Sequence, residues 1–134
     1  MIKDNREYVF VYGTLKFGYS NSGFLMNSEI VGRAETERKY SLWQWDLPYL
    51  TTTPNHKVKG EVYKINKQTL MYLDSLEGHP HLYKRKKIRV VLEKGSNRGK
   101  LKVSCWGYFW KQPRRDCWKL TNGEYIQKLN KLWD

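Results

Sequence analysis

The sequence predicts an α+β domain built on a strongly curved sheet or small barrel. Two observations point there. Segments rich in β-branched and aromatic residues recur along the chain, at Glu7–Tyr12, Val58–Ile65, Tyr83–Lys94 and Lys100–Trp110. Helical spacing is confined to Lys67–Glu77 and the tail from Thr121 to Trp133. Many strands and few helices fit that class. The length of 134 residues suits one domain, taken as 1–134, with a core that needs no staples.

Each element has its own signal. Glu7–Tyr12 is apolar almost throughout, so it reads as a central strand covered on both faces, with Gly13 ending it. Gly18, Ser20, Asn21, Ser22 and Gly23 make 14–23 a loop. Residues 28–45 read as one or two strands, weighted by Tyr40, Leu42 and Trp43. Pro48 and Pro54 bracket a turn-prone segment. Val58–Ile65 reads as a strand, with Gly60 marking a bulge or a close backbone approach. The helix 67–77 has Asn66 as N-cap, Gly78 at the position that favours a left-handed residue, and Pro80 just beyond. Tyr83–Lys94 and Lys100–Trp110 form a hairpin around a turn at Gly95–Gly99. Tyr125, Ile126, Leu129 and Leu132 suggest a short C-terminal helix.

Composition narrows the class. Six Trp and ten Tyr argue against disorder. A mean hydropathy of −0.79 and the lack of any long apolar run exclude a membrane-spanning helix. Met1–Phe10 carries charges where a signal peptide needs an apolar stretch, so a cytoplasmic location is expected. Cys105 and Cys117 form no CxxC pair and read as free thiols. His79 and His81 flank Pro80 with no third ligand suggested nearby, so no metal site is expected. The formal net charge is +12 and unevenly spread: Lys84 to Lys119 holds 13 basic and 2 acidic residues, and residues 1–83 hold 10 and 9. Such a basic segment suggests nucleic acid or an acidic partner, and a merely solvated charged strand pair is the more common source of such a pattern.

Glu77 is the most informative residue. With Leu70 at zero on a helical wheel, Leu73 falls at about 300° and Glu77 at about 340°, between leucines on the apolar face. It also lies in the last turn, at the negative end of the helix dipole. Burial and the dipole both disfavour its charged form and raise its pKa towards the range useful for general acid/base work. A helix-end glutamate is also commonly just solvated, and the wheel leaves both readings open. Asp74, at about 40°, reads as a cap, an ion-pair partner or a surface group. Glu61 sits on a strand and could face either way. Tyr12, Gly13, Thr14 and Leu15 follow the first strand. Glycine there permits close backbone approach, and successive N–H groups can bind a carboxylate or oxyanion. The plain alternative is an ordinary turn.

Together these residues carry a resemblance. Val9-Phe-Val-Tyr-Gly-Thr-Leu-Lys16, followed by Gly18 and Asn21, resembles the opening motif of the γ-glutamylcyclotransferase-like superfamily, closest to its γ-glutamylamine cyclotransferase branch. Gly60-Glu-Val-Tyr63 is similar to the family strand before the helix. Leu73-Asp-Ser-Leu-Glu-Gly78 is similar to the helix end bearing the family's catalytic glutamate, and Tyr83 and Arg85 to the Tyr-x-Arg that follows. The similarity spans roughly residues 8–110. It implies a compact mixed β-barrel with a few short helices and a cavity lined by the first-strand loop. It implies cyclisation of a γ-glutamyl group to 5-oxoproline with release of an amine or amino acid, and no cofactor. Glu77 would be the general acid/base. Tyr12, Gly13, Thr14 and Leu15 would bind the substrate, and Tyr108 resembles a cavity-lining tyrosine; both tyrosines read equally well as core aromatics. The Trp-rich, basic stretch after Cys105 departs from the family pattern. The leaving group is not legible. A partner-binding protein on the same scaffold, using the basic 84–119 segment, is the competing reading.

Overall fold

The computed structural model describes residues 6–44, 48–93, 101–110, 118–120 and 122–126. Its strands are β1 (Glu7–Val11), β2 (Glu29–Thr36), β3 (Tyr40–Gln44), β4 (Pro48–His56), β5 (Lys59–Ile65), β6 (Lys84–Leu92), β7 (Lys102–Phe109) and β8 (Trp118–Lys119). One α-helix, α1 (Lys67–Glu77), and one 3₁₀ turn (Ser22–Leu25) accompany them. Five strands close a barrel in the order β1-β5-β2-β6-β7, and β4-β3-β8 form a separate sheet. The barrel is mixed: β1 meets β7 in parallel at Val9 and Trp106, and the other pairs are antiparallel. A register shift between Ile30 and Gly32 bends β2, a device that supports curvature.

The alternation of β1 explains its apolar run. Phe10 and Tyr12 join the main core with Leu42, Leu50, Val62 and Val90. Val9 and Val11 face the other way, into a second cluster with Leu70 and Leu73 of α1. The strand is covered on both faces, as its composition predicts. Gly60 is the close approach: a Cβ there would stand 2.3 Å from the Val11 carbonyl oxygen and 2.7 Å from the Phe10 ring. The helix keeps its predicted bounds. Asn66 caps it by accepting the Thr69 N–H at 2.8 Å, and Gly78 ends it in the left-handed region at φ 65°.

Two sequence expectations are corrected. The segment between Pro48 and Pro54 is the first part of strand β4, not a turn. Pro48, Tyr49, Leu50 and Thr51 are buried there, and β4 stands at the edge of its sheet, where proline costs no ladder bond. The C-terminal helix is absent from residues 122–126, which form a turn and an irregular piece, and the rest of that expectation lies outside the described residues. Tyr125 is buried in the core and packs edge-on against Tyr19 at 6.1 Å. Ile126 beside it is exposed, so Tyr125 is the only apolar side chain buried in the described part of this stretch, and no apolar helical face forms there. The turn at 95–99 and Cys117 also lie outside the described residues, whereas Cys105 is a buried free thiol. No described helix is long and apolar enough to cross a membrane.

Candidate active site

A cleft of about 240 Å³ opens beside the end of α1. Tyr12, Gly13, Thr14, Leu15, Glu77 and Tyr108 all line it. The fold brings them together from three directions. The loop after β1 supplies the first four, the last residue of α1 supplies Glu77, and β7 supplies Tyr108.

Among the described residues Glu77 is the only acidic one lining this cleft. Among the described residues no hydrogen bond or ion pair holds its carboxylate. Burial pushes its pKa up to about 7. Tyr83 lines the same cleft, because its backbone N–H bonds the Glu77 carbonyl at 3.1 Å across the turn closing the helix. The Tyr83 phenol is pushed above its ordinary pKa, first by burial and then by Glu77 and Tyr49. The cleft thus holds one carboxyl, neutral phenols and apolar walls.

The loop opposite Glu77 presents backbone. Lys16 N–H bonds the Gly13 carbonyl at 3.1 Å and Asn21 N–H bonds the Thr14 carbonyl at 2.9 Å. The Asn21 side-chain amide donates to Thr14 Oγ1 at 2.9 Å. These bonds occupy the Gly13 and Thr14 carbonyls within the loop. No acceptor among the described residues meets the N–H of Gly13, Thr14 or Leu15. Such free amides suit an anion or a developing oxyanion. Gly13 also admits Pro48, whose Cγ would lie 2.8 Å from a Cβ there. Glu61 faces this loop and accepts the Phe17 N–H at 2.8 Å.

The two tyrosines behave differently from free donors. The Tyr12 hydroxyl donates to the Tyr108 carbonyl at 2.9 Å, and the Tyr108 hydroxyl donates to Asp74 Oδ1 at 2.7 Å. Both are buried and wall the cleft with their donors engaged inside the protein. Of the roles open to Asp74, the structure selects an ion pair, with Arg85 Nη1 at 2.6 Å from Oδ2. Pro48, Leu76 and Leu82 also line the cleft and were not picked out as site residues from the sequence. Leu82 follows the helix by a turn, and Pro48 comes from a strand distant in sequence, so no local pattern marks them.

The described part of the basic segment lies on β6 and β7, with Lys119 on β8. Ile88, Val90 and Leu92 face the core, and Lys84, Lys86, Lys87 and Arg89 are exposed. Lys87 approaches Glu7 at 3.6 Å and Trp106 at 4.4 Å, and Arg89 approaches Glu37 at 4.0 Å. His79 Nδ1 accepts the Arg85 backbone N–H at 3.1 Å. No group of three described His, Cys, Asp or Glu side chains is arranged to hold a metal.

Comparison with known proteins bears on the family and the fold. A family model described as gamma-glutamyl cyclotransferase, AIG2-like, matches residues 9–127. A Methanocaldococcus jannaschii protein provisionally named gamma-glutamylcyclotransferase is 39% identical over 108 residues, covering 78% of this chain and 84% of its own. The rat gamma-glutamylaminecyclotransferase is 34% identical over 113 residues, covering 75% and 76%. The crystal structure of a mouse AIG2-like protein superposes with a TM-score of 0.71 at 26% identity, covering 95% of this chain and 99% of that one.

Proposed function

The chain belongs to the gamma-glutamyl cyclotransferase, AIG2-like family, and from that premise we propose that it cyclises a γ-glutamyl group to 5-oxoproline with Glu77 as general acid/base. The observation that carries this reading is the unpaired, desolvated Glu77 carboxyl sharing a cleft with the free amides of Gly13, Thr14 and Leu15.

The reaction needs little from the protein. The substrate's own α-amine is the nucleophile, so closing the five-membered ring is a matter of folding the substrate and moving protons. Glu77, as carboxylate, takes a proton from the α-ammonium group. The freed nitrogen attacks the γ-carbonyl carbon, forming the lactam C–N bond and an oxyanion. As the oxyanion collapses, the original amide C–N bond breaks and the departing nitrogen receives the proton from Glu77. The ring nitrogen then gives its second proton through the regenerated carboxylate to the released amine, which departs as an ammonium ion and leaves a neutral lactam. The products are 5-oxoproline and a free amine or amino acid, and Glu77 is again a carboxylate. A group with pKa about 7 serves both steps near neutral pH. The amides of residues 13–15 hold the α-carboxylate or the oxyanion. Tyr12 and Tyr108 shape the wall and exclude water.

The test is release of 5-oxoproline from a panel of γ-glutamyl amines, γ-glutamyl amino acids and γ-glutamyl-modified peptides, comparing the native chain with Glu77→Gln. Release by the native chain and its loss in the variant are expected. Equal turnover by both would remove Glu77 from the mechanism, and no turnover on the whole panel would remove the activity. The competing partner-binding reading rests on the basic 84–119 segment with its interleaved tryptophans, Trp106, Trp110 and Trp118, and salt-dependent retention of RNA or DNA would speak for it.

A further inference from the structure

We propose that Asp74 is the positioning residue of this site: gripped by Arg85 and Tyr108, it holds the last turn of α1 where Glu77 faces the cleft. The inference rests on the reading of Glu77 given above and adds the device that aims it.

Apolar packing does not fix the end of the helix. Leu70 and Leu73 are its buried side chains, and Leu76, in the last turn, is exposed. The anchor beyond Leu73 is polar. Asp74 sits one turn before Glu77 and uses both carboxylate oxygens, Oδ2 to Arg85 Nη1 at 2.6 Å and Oδ1 to the Tyr108 hydroxyl at 2.7 Å. Arg85 and Tyr108 are direct partners in the β6–β7 register, so two adjacent strands close on one helix residue. The guanidinium is itself held, lying 4.5 Å from the centre of the Trp106 ring. Trp106 is two residues before Tyr108 and shares its face of β7. The Arg85 backbone N–H bonds His79, which ties down the turn after the helix. The Asp74 and Arg85 side chains are only 22% and 23% exposed, so this pair is shielded more than an ordinary surface bridge. Tyr108 closes the arrangement onto the substrate loop, since its carbonyl receives the Tyr12 hydroxyl.

The test uses Arg85→Gln, Tyr108→Phe and Arg85→Lys in the full chain. Three quantities are read: kcat and KM for 5-oxoproline release, the Glu77 titration followed directly by carboxyl ¹³C NMR, and the thermal midpoint. In Arg85→Gln, kcat is expected to fall about tenfold to a hundredfold, with KM changing less than about threefold. The Glu77 midpoint is expected to drop by about one pH unit as water reaches the loosened turn. Losing a nearby cation would by charge alone move that midpoint up, so the direction separates positioning from electrostatics. Tyr108→Phe changes no charge at neutral pH and is expected to move the midpoint the same way by less. Arg85→Lys is expected to recover part of both effects. A Glu77 midpoint that stays in place or rises in Arg85→Gln, or a kcat within twofold of native, overturns the proposal even if the thermal midpoint falls. If no γ-glutamyl compound is turned over, the NMR titration still decides the positioning role, and only the acid/base reading fails.

Discussion

The cleft beside Glu77 and the basic face of β6 occupy successive stretches of one segment. Tyr83, just before β6, lines the cleft, and Lys84, Lys86, Lys87 and Arg89 on the strand are exposed. Among the described residues the cleft holds a single carboxyl, and that carboxyl is pushed up to about 7 by burial. The basic face carries most of the formal charge in the described hairpin, yet its groups reach water, Glu7 or Glu37. One charge taken out of water is therefore the more consequential feature, because solvent screens exposed charges and cannot screen a buried one. The net charge draws attention to β6, and the chemistry collects where charge is scarce.

The sharpest way to break that contrast is activity. Glu77→Gln is expected to lower 5-oxoproline release about a hundredfold or more, and Lys86→Ala to leave it within about twofold. A comparable loss in both would place the basic face in the reaction and erase the distinction.

Packing gives the next largest effect. Gly60 lies beneath Phe10 and Val11, which line the cleft. Gly60→Ala is expected to cost about 3 kcal/mol in denaturant unfolding, because the Val11 backbone at 2.3 Å would have to move. A loss below about 0.5 kcal/mol would show that this wall is soft.

Stability against pH follows from the raised carboxyl. Burial lifts the Glu77 pKa in the folded chain above its unfolded value, so folding favours the protonated form. Glu77 is tolerated fully below about pH 4.5 and becomes a liability as the pH rises through about 7. Glu77→Gln is then expected to stabilise the fold by about 2 kcal/mol at pH 8, the gain shrinking on acidification. Thermal midpoints of the two chains that run parallel from pH 5 to pH 8 would contradict the desolvated carboxyl.

The smallest effect belongs to the exposed face. Lys84→Ala and Lys86→Ala are each expected to change unfolding by less than about 0.5 kcal/mol. Arg85→Gln, between them, is expected to cost more, since it leaves half-buried Asp74 without its cation. Equal effects at the three positions would reduce Arg85 to another surface charge.

Much of this was legible in the chain. The wheel that set Glu77 between Leu70 and Leu73 works because helix geometry is local, and Asn66 and Gly78 fix the ends of that helix by local hydrogen bonding and backbone freedom. Gly60 signalled a close approach because a glycine within a strand usually has a reason to be there. Residues 48–56 were not legible, since whether a proline-flanked segment pairs depends on which strand it meets and on which edge. Tyr125 misled for a related reason. Whether it sits in a helix depends on where the chain meets the core, and in residues 122–126 it is buried from a non-helical stretch beside an exposed Ile126.

By itself the sequence determined the strand-rich class, the bounds of α1, the opening loop and the uneven spread of charge. These follow from local propensity, capping and composition, which need no distant partner. Only the tertiary structure decided that β1 and β7 meet in parallel, that β6 and β7 set Arg85 opposite Tyr108, and that Asp74 joins them. The same closure brings Pro48 against Gly13 and sets residues 13–15 in one cleft with Glu77. Those contacts link positions far apart in sequence. Closing the barrel settles them, because it buries both faces of β1 at once.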